Sequence, residues 1–304
     1  MNPRTFIISF AAIVSLVLVF CMFIYALDLP YSDLDMLRQY QMNKLNRNID
    51  TVETVILGDS SAGNAIDAEL FSELSEGKTL NLGLAGSFGL ESDYDLIQYL
   101  RKKNAPQLKN IIIMHTLDLW SRNPDKGYYL DTKRYGNVSD FLNPSLVIHY
   151  FAHTINFKRA VVSLKRYLSH EKFPVHVDLA NDYIAQRRER YSNGLLSLAP
   201  GKSLLAVINP DQKKSFAALA ALCKKAELNC VYVHGLILET MYQNSFDAIS
   251  EINEFMKTSN GMSVITDVLH YPEEKMGDSE DHIDNAFKKE VTKEYWKIVT
   301  SHLL

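Results

Sequence analysis

The sequence predicts an α/β fold built on a parallel sheet, carried on an N-terminal membrane helix, and three observations lead there. Short β-branched runs alternate with amphipathic stretches from Thr54 to Trp120, and the alternation resumes from Ser215 to the C-terminus. One of those runs, Thr54-Val55-Ile56-Leu57, stops at Gly58 and passes at once into Asp59-Ser60-Ser61. The third observation is an apolar stretch at the N-terminus that no globular core requires.

That stretch, from Phe6 to Leu27, holds no charge before Asp28. At 1.5 Å per residue its roughly 22 residues match a hydrocarbon core of about 30 Å. A cleaved signal peptide would have a shorter apolar region and a better small-x-small site than Ala26 offers, and bulky Phe20 before Cys21 argues against a lipoprotein. Arg4 precedes the span while Asp28, Asp33 and Asp35 follow it, so the charge bias places the N-terminus in the cytoplasm. The expected division is a cytoplasmic tail at 1–5, a transmembrane signal anchor at 6–27, a stalk at 28–50 and a globular domain at 51–304 facing outward, periplasmic or extracellular. Within the stalk, residues 36–42 read as a short amphipathic helix.

The 304 residues, 47% hydrophobic, suffice for one substantial core. A net charge of −4 argues against a nucleic-acid partner. Cys21, Cys223 and Cys230 lack metal-ligand spacing. Cys223 and Cys230 are either a disulfide or two buried thiols.

Along the domain, a strand at 54–57 is followed by a helix near 68–74 and a strand at 79–82. The latter opens into Asn81-Leu82-Gly83-Leu84-Ala85-Gly86-Ser87-Phe88-Gly89, whose glycines bring backbone amides near a ligand. The G-x-x-G-x-x-G spacing is not the dinucleotide fingerprint. A helix containing Leu96, Ile97 and Leu100 leads to a strand at 110–116. From 121 to about 205 the alternation lapses, and this is expected to be an insertion with a helix near 144–164 and basic runs that cover the site, face the membrane or dock a partner. His149 and His153 are one turn apart, but no third ligand accompanies them, so no metal is expected. A helix at 215–226, a strand at 230–234, a helix at 246–256, a strand at 263–268 and a helix at 285–302 complete the chain.

The strand-to-helix turn at Gly58-Asp59-Ser60 has two readings. Asp59 and the serines cap the next helix, or Ser60 stands clear of the sheet as a nucleophile beside the amides of the helix start. The base would be His282, in the acidic loop Gly277-Asp278-Ser279-Glu280-Asp281-His282 just before the last helix.

Taken together, Gly58-Asp59-Ser60, Asn81-x-Gly83-x-x-Gly86 and the terminal acid-loop-histidine resemble the first, second and fifth blocks of the SGNH/GDSL hydrolase superfamily, over about residues 52–120 and 205–304. The resemblance implies a three-layer flavodoxin-like sandwich, with Ser60 as nucleophile, His282 as base and the amides of Ser60 and Gly86 as oxyanion donors. The family's acid stands three residues before the histidine, where this chain has Ser279; Asp278 is favoured, with Asp281 as the alternative. The family's Gly-x-Asn-Asp block is replaced by His115-Thr116-Leu117-Asp118, so one oxyanion donor is missing or supplied elsewhere.

An anchored SGNH-like domain is similar to the envelope branch that includes the D-alanyl transfer protein of teichoic acids and alginate acetylation proteins. That similarity implies acyl, chiefly acetyl, transfer to an envelope glycan through an acyl-serine, with a multi-span membrane-bound O-acyltransferase as partner and no cofactor. An esterase using the same residues and an inactive scaffold are the alternatives.

Overall fold

The structure, a computed structural model, describes residues 2–124, 144–171, 203–205, 207–277 and 279–304. It divides into two units: residues 1–40 with 137–174, and residues 41–136 with 175–304.

The larger unit is a mixed α/β structure around a parallel sheet. Its strands are β1 (Thr54–Gly58), β2 (Thr79–Asn81), β3 (Asn110–His115), β4 (Asn229–His234), β5 (Ile237–Leu238), β6 (Ser263–Ile265) and β7 (His270–Tyr271). Five of them form one sheet in the order β2-β1-β3-β4-β6, every neighbouring pair parallel. β1 and β3 are buried along their whole length, as continuous apolar runs covered on both faces must be. β5 and β7 make a separate two-stranded parallel pair.

The helices are α1 (Pro3–Ala26), α2 (Asp33–Asn48), α3 (Ser60–Ala65), α4 (Ala68–Ser75), α5 (Gly89–Lys103), α6 (Pro144–Thr154), α7 (Phe157–Leu168), α8 (Pro210–Ala226), α9 (Glu239–Gln243), α10 (Phe246–Lys257) and α11 (Lys288–Val299). α5 packs against α8, while α11 packs against α3 and α4. Trp120, Phe216, Tyr232 and Phe255 form an aromatic cluster under α8, with ring centroids 5.3–6.0 Å apart. Chain order reverses at β1, between β2 on one side and β3 on the other, and a crevice at the strands' C-terminal ends is where such sheets hold their ligands.

Several expected boundaries shift for local reasons. The stalk helix spans all of 33–48, since Asp35 accepts from the amides of Tyr31 and Ser32 at 2.9 Å and fixes an earlier start. The single helix expected near 144–164 is two, because Asn156 accepts from the Arg159 amide at 2.9 Å and begins a new helix. α8 begins at Pro210 instead of Ser215, capped by Asn209 with proline in its first turn. The strand expected at 263–268 stops at Ile265, and the final helix is flanked by 3₁₀ turns at Asn285–Phe287 and Thr300–His302. Much of the expected insertion lies outside the described residues. Cys223 and Cys230 are joined as a disulfide, Cα atoms 6.0 Å apart, tying the end of α8 to β4.

In the smaller unit, α1 is the one helix among the described residues long and apolar enough to cross a membrane or act as a signal anchor. Most of its surface is exposed.

Candidate functional site

The site begins with a backbone constraint at Gly58. Its φ is +132°, and a Cβ there would sit 1.7 Å from the Met114 carbonyl oxygen of β3, so no other residue fits. The chain therefore turns sharply as it leaves β1. Asp59 follows as the N-cap of α3, accepting from the Ser61 amide at 2.9 Å and the Ser61 hydroxyl at 2.6 Å. The capping reading of this turn is met by Asp59. Ser60, the first residue of α3, is half-buried at the C-terminal end of β1.

His282 arrives there from the far end of the chain. Its loop is a tight hairpin closed by the antiparallel bridge Met276–Ile283 and by bonds from Gly277 N to His282 O (2.7 Å) and Asp284 N to Lys275 O (2.8 Å). The following α11 is fastened to α3 and its C-terminal end. Lys288 Nζ donates to Gly63 O at 3.0 Å, Thr292 Oγ1 donates to Ala65 O at 3.2 Å, and the Asp67 amide donates to Thr292 Oγ1 at 2.9 Å. The result is a contact between residues 222 positions apart, with His282 Nε2 2.8 Å from Ser60 Oγ. This is the reach a general base needs toward a serine hydroxyl. His282 itself is 8% exposed.

Of the two candidate acids, Asp278 lies outside the described residues. Asp281 Oδ1 is 3.8 Å from His282 Nε2, the nitrogen already turned to Ser60, and it accepts a short hydrogen bond from the Ser279 hydroxyl. It adds negative charge beside the imidazole but does not meet it in hydrogen-bonding geometry.

The loop after β2 closes the other side. Leu84 N donates to Gly58 O at 2.8 Å, and Gly83 approaches so closely that a Cβ would lie 2.9 Å from both the Asp59 oxygen and the Gly63 nitrogen. Asn81 fixes this loop, its amide group donating to Ala62 O (3.0 Å) and Ile66 O (3.1 Å) and accepting from Gly83 N (3.0 Å). Gly86 lies under the Arg122 guanidinium, whose Nη1 would be 2.5 Å from a Cβ there. Arg122 is in turn ion-paired to Asp118. Burial raises the Asp118 pKa, as does the charge of Asp281, while Arg122 opposes them. Leu117 is 2% exposed and part of the core.

Beneath the turn that bears Ser60 lies a group that the sequence did not suggest. His115, the last residue of β3, places Nε2 2.5 Å from Asp93 Oδ2 of α5 and Nδ1 3.3 Å from Asp59 Oδ2. All three are at most 2% exposed. The Asp59 Oδ2 also accepts from the Thr116 amide at 2.9 Å. Burial alone would strip the proton from His115, but the Asp93 charge and the bonds to both carboxylates outweigh it and push the pKa up to about 10. Asp59 shows the complement. Burial would raise it, yet His115, the Ser61 hydroxyl and the Thr116 amide together bring it down to about 2. Burial raises Asp93 despite His115. The turn bearing Ser60 therefore rests on a buried imidazolium held between two aspartates.

No group of three or more metal-ligating side chains gathers among the described residues. His153, once paired with His149 as a candidate, faces Arg159 Nη1 at 2.8 Å and the edge of Tyr25. Comparison of the chain with protein-family models and with curated proteins finds no match.

Proposed function

We propose that the chain is a membrane-anchored serine acyltransferase of SGNH type, moving an acyl group, chiefly acetyl, onto a hydroxyl of an envelope glycan. The observation that carries this reading is the 2.8 Å contact between Ser60 Oγ and His282 Nε2 at the strand ends where the sheet order reverses. On this reading the larger unit is a three-layer flavodoxin-like SGNH sandwich. Its catalytic set is Ser60, His282 and Asp278, with the amides of Ser60 and Gly86 as the oxyanion hole.

In the first half-reaction the Ser60 hydroxyl attacks the acyl carbonyl carbon as its proton passes to His282 Nε2. The tetrahedral oxyanion is met by the two amides, and the leaving oxygen or sulfur takes the proton from His282, leaving an acyl-Ser60 ester. In the second half the acceptor hydroxyl gives its proton to His282, attacks the same carbonyl, and Ser60 leaves as the restored alcohol. With Leu117 in the core, the Arg122 guanidinium over Gly86 is the cation that takes the asparagine's part beside the developing negative charge.

The disulfide supports an oxidising, extracytoplasmic location for this unit. An uncleaved anchor is supported by the buried cluster of Cys21 and Ile24 with Ala160, since a discarded peptide would have no such partner in the mature chain. A multi-span membrane-bound O-acyltransferase delivering acyl groups is the partner this plan calls for.

Incubation of the full-length protein in detergent with p-nitrophenyl acetate and an oligosaccharide acceptor tests the reading. Intact mass should show one acetyl on Ser60, and the acetyl should then appear on the sugar. Release to water alone would make the protein an esterase, and no adduct at all would make it an inactive scaffold.

A further inference from the structure

The smaller unit carries its own unexplained surface. α6 and α7 form a helical hairpin that packs along the C-terminal half of α1. The contacts fix its register: Tyr150 and His153 of α6 meet Tyr25 at centroid distances of 5.7 and 6.2 Å, and Phe157, the first residue of α7, meets Phe20 at 6.1 Å. Ala160 is buried with Cys21 and Ile24, against which Leu164 also packs. Farther along α7, Arg166 reaches Asp33 at 2.9 Å, beyond the end of α1. The hairpin thus runs down beside α1, turns at Ile155-Asn156, and climbs back out. Its lowest contact, at Phe20, is six residues inside the end of α1 at Ala26, or about 9 Å at 1.5 Å per residue.

Away from α1, both helices are apolar on the outside. Ile148 and Phe151 on α6 are 68% and 50% exposed, and Phe157, Val161 and Leu168 on α7 are 54%, 43% and 66% exposed. Their spacings of three, four and seven residues make a stripe on each helix, and Val19, Met22 and Phe23 of α1 are exposed as well. Lys158 and Lys165 flank the α7 stripe, exposed and one heptad apart. Arg159 stacks over Tyr31 at 5.3 Å and reaches Asp35 at 3.7 Å.

We infer that α6 and α7 form a shallow re-entrant hairpin whose exposed apolar stripes lie in the lipid leaflet at the C-terminal end of α1, with Lys158 and Lys165 against anionic head groups. Lipid is the occupant because the stripes continue the surface of a helix already suited to hydrocarbon. The depth set by Phe20 also falls within the 5–10 Å at which interfacial amphipathic helices settle. The basic flank matches anionic lipid in charge. This role stands apart from the acyl chemistry and holds whether or not Ser60 is catalytic.

Full-length protein with Cys21→Ala, carrying a bimane label on Phe151→Cys, Val161→Cys or, as the control in the other unit, Phe246→Cys, is reconstituted in phosphatidylcholine vesicles containing some phosphatidylglycerol. Nitroxide on a shallow acyl carbon should quench the labels at 151 and 161 severalfold while sparing 246, and aqueous iodide should do the reverse. Lys158→Gln with Lys165→Gln should weaken the lipid quenching only where phosphatidylglycerol is present. Iodide quenching of 151 and 161 as strong as at 246 would overturn the inference. So would labels shielded from both lipid and water in native membranes, which would mean that a protein covers the stripes.

Discussion

His115 and His234 stand in register at the ends of neighbouring strands, both buried, yet one is charged and the other neutral. His115 lies between two carboxylates and keeps its proton to about pH 10. His234 faces the Asn253 side-chain oxygen at 2.8 Å, and burial, opposed by that bond, lowers its pKa to about 4. Burial is common to both, so the partners decide the charge. The charged member lies on the β1–β3 side, under the turn that presents Ser60. The neutral member is structural, with Tyr295 donating to its carbonyl at 3.0 Å. A third histidine, His282, is the one that reaches the serine.

The largest effect should come from that third histidine. His282→Gln removes the base and should slow acylation of Ser60 about 10²–10⁴-fold, read as the rate of p-nitrophenol release, with melting behaviour near that of the parent. Loss of structure together with activity would mean that His282 is a packing residue.

Next, Asp93→Asn leaves the buried imidazolium with Asp59 as its remaining carboxylate. It should cost about 3–5 kcal/mol of stability in denaturant unfolding, as breaking one side of a buried ion pair does. Asn253→Ala beside His234 should cost only about 1–3 kcal/mol, because a neutral donor or acceptor loses its partner. Equal costs would erase the distinction between the two histidines.

The same distinction predicts a stability optimum with two flanks. His234 has a folded pKa below the unfolded value of about 6.5, so its contribution is complete above that pH and is lost as pH falls toward 4, about 3 kcal/mol in all. His115 has a folded pKa above the unfolded value, so its contribution is complete below about 6.5 and is lost as pH rises through 10. His234→Gln should flatten the acid flank of a melting-temperature profile and leave the alkaline flank in place.

The smallest effect is expected at Arg122, which is 44% exposed and therefore screened by water. Arg122→Gln should lower the acylation rate about tenfold, less than the loss of a buried oxyanion donor. No change would remove the guanidinium from the proposed site.

The parts of this molecule that were legible in the sequence are those coded locally. β1, β3 and β4 are buried β-branched runs, and the Ser60 turn announced itself by Gly58, which the Met114 carbonyl admits as glycine alone. β5 and β7, two residues each, carry no period to detect. The break at Asn156 and the start at Pro210 depended on caps that apolar spacing overlooks. At the site, motif spacing paired Ser60 with His282. Asp93 gave no signal, because one of three acids in α5 becomes a partner of His115 only once α5 is laid across β3. Arg122 was equally silent, since its place over Gly86 follows from the turn after β3 and not from any pattern in its neighbours.

Whether Ser60 is an activated nucleophile is read most directly with a fluorophosphonate probe. Full-length protein should be labelled once, at Ser60, with Ser60→Ala unlabelled and Ser61→Ala still labelled. Labelling that survives Ser60→Ala, or a parent protein that does not react at all, would contradict the account.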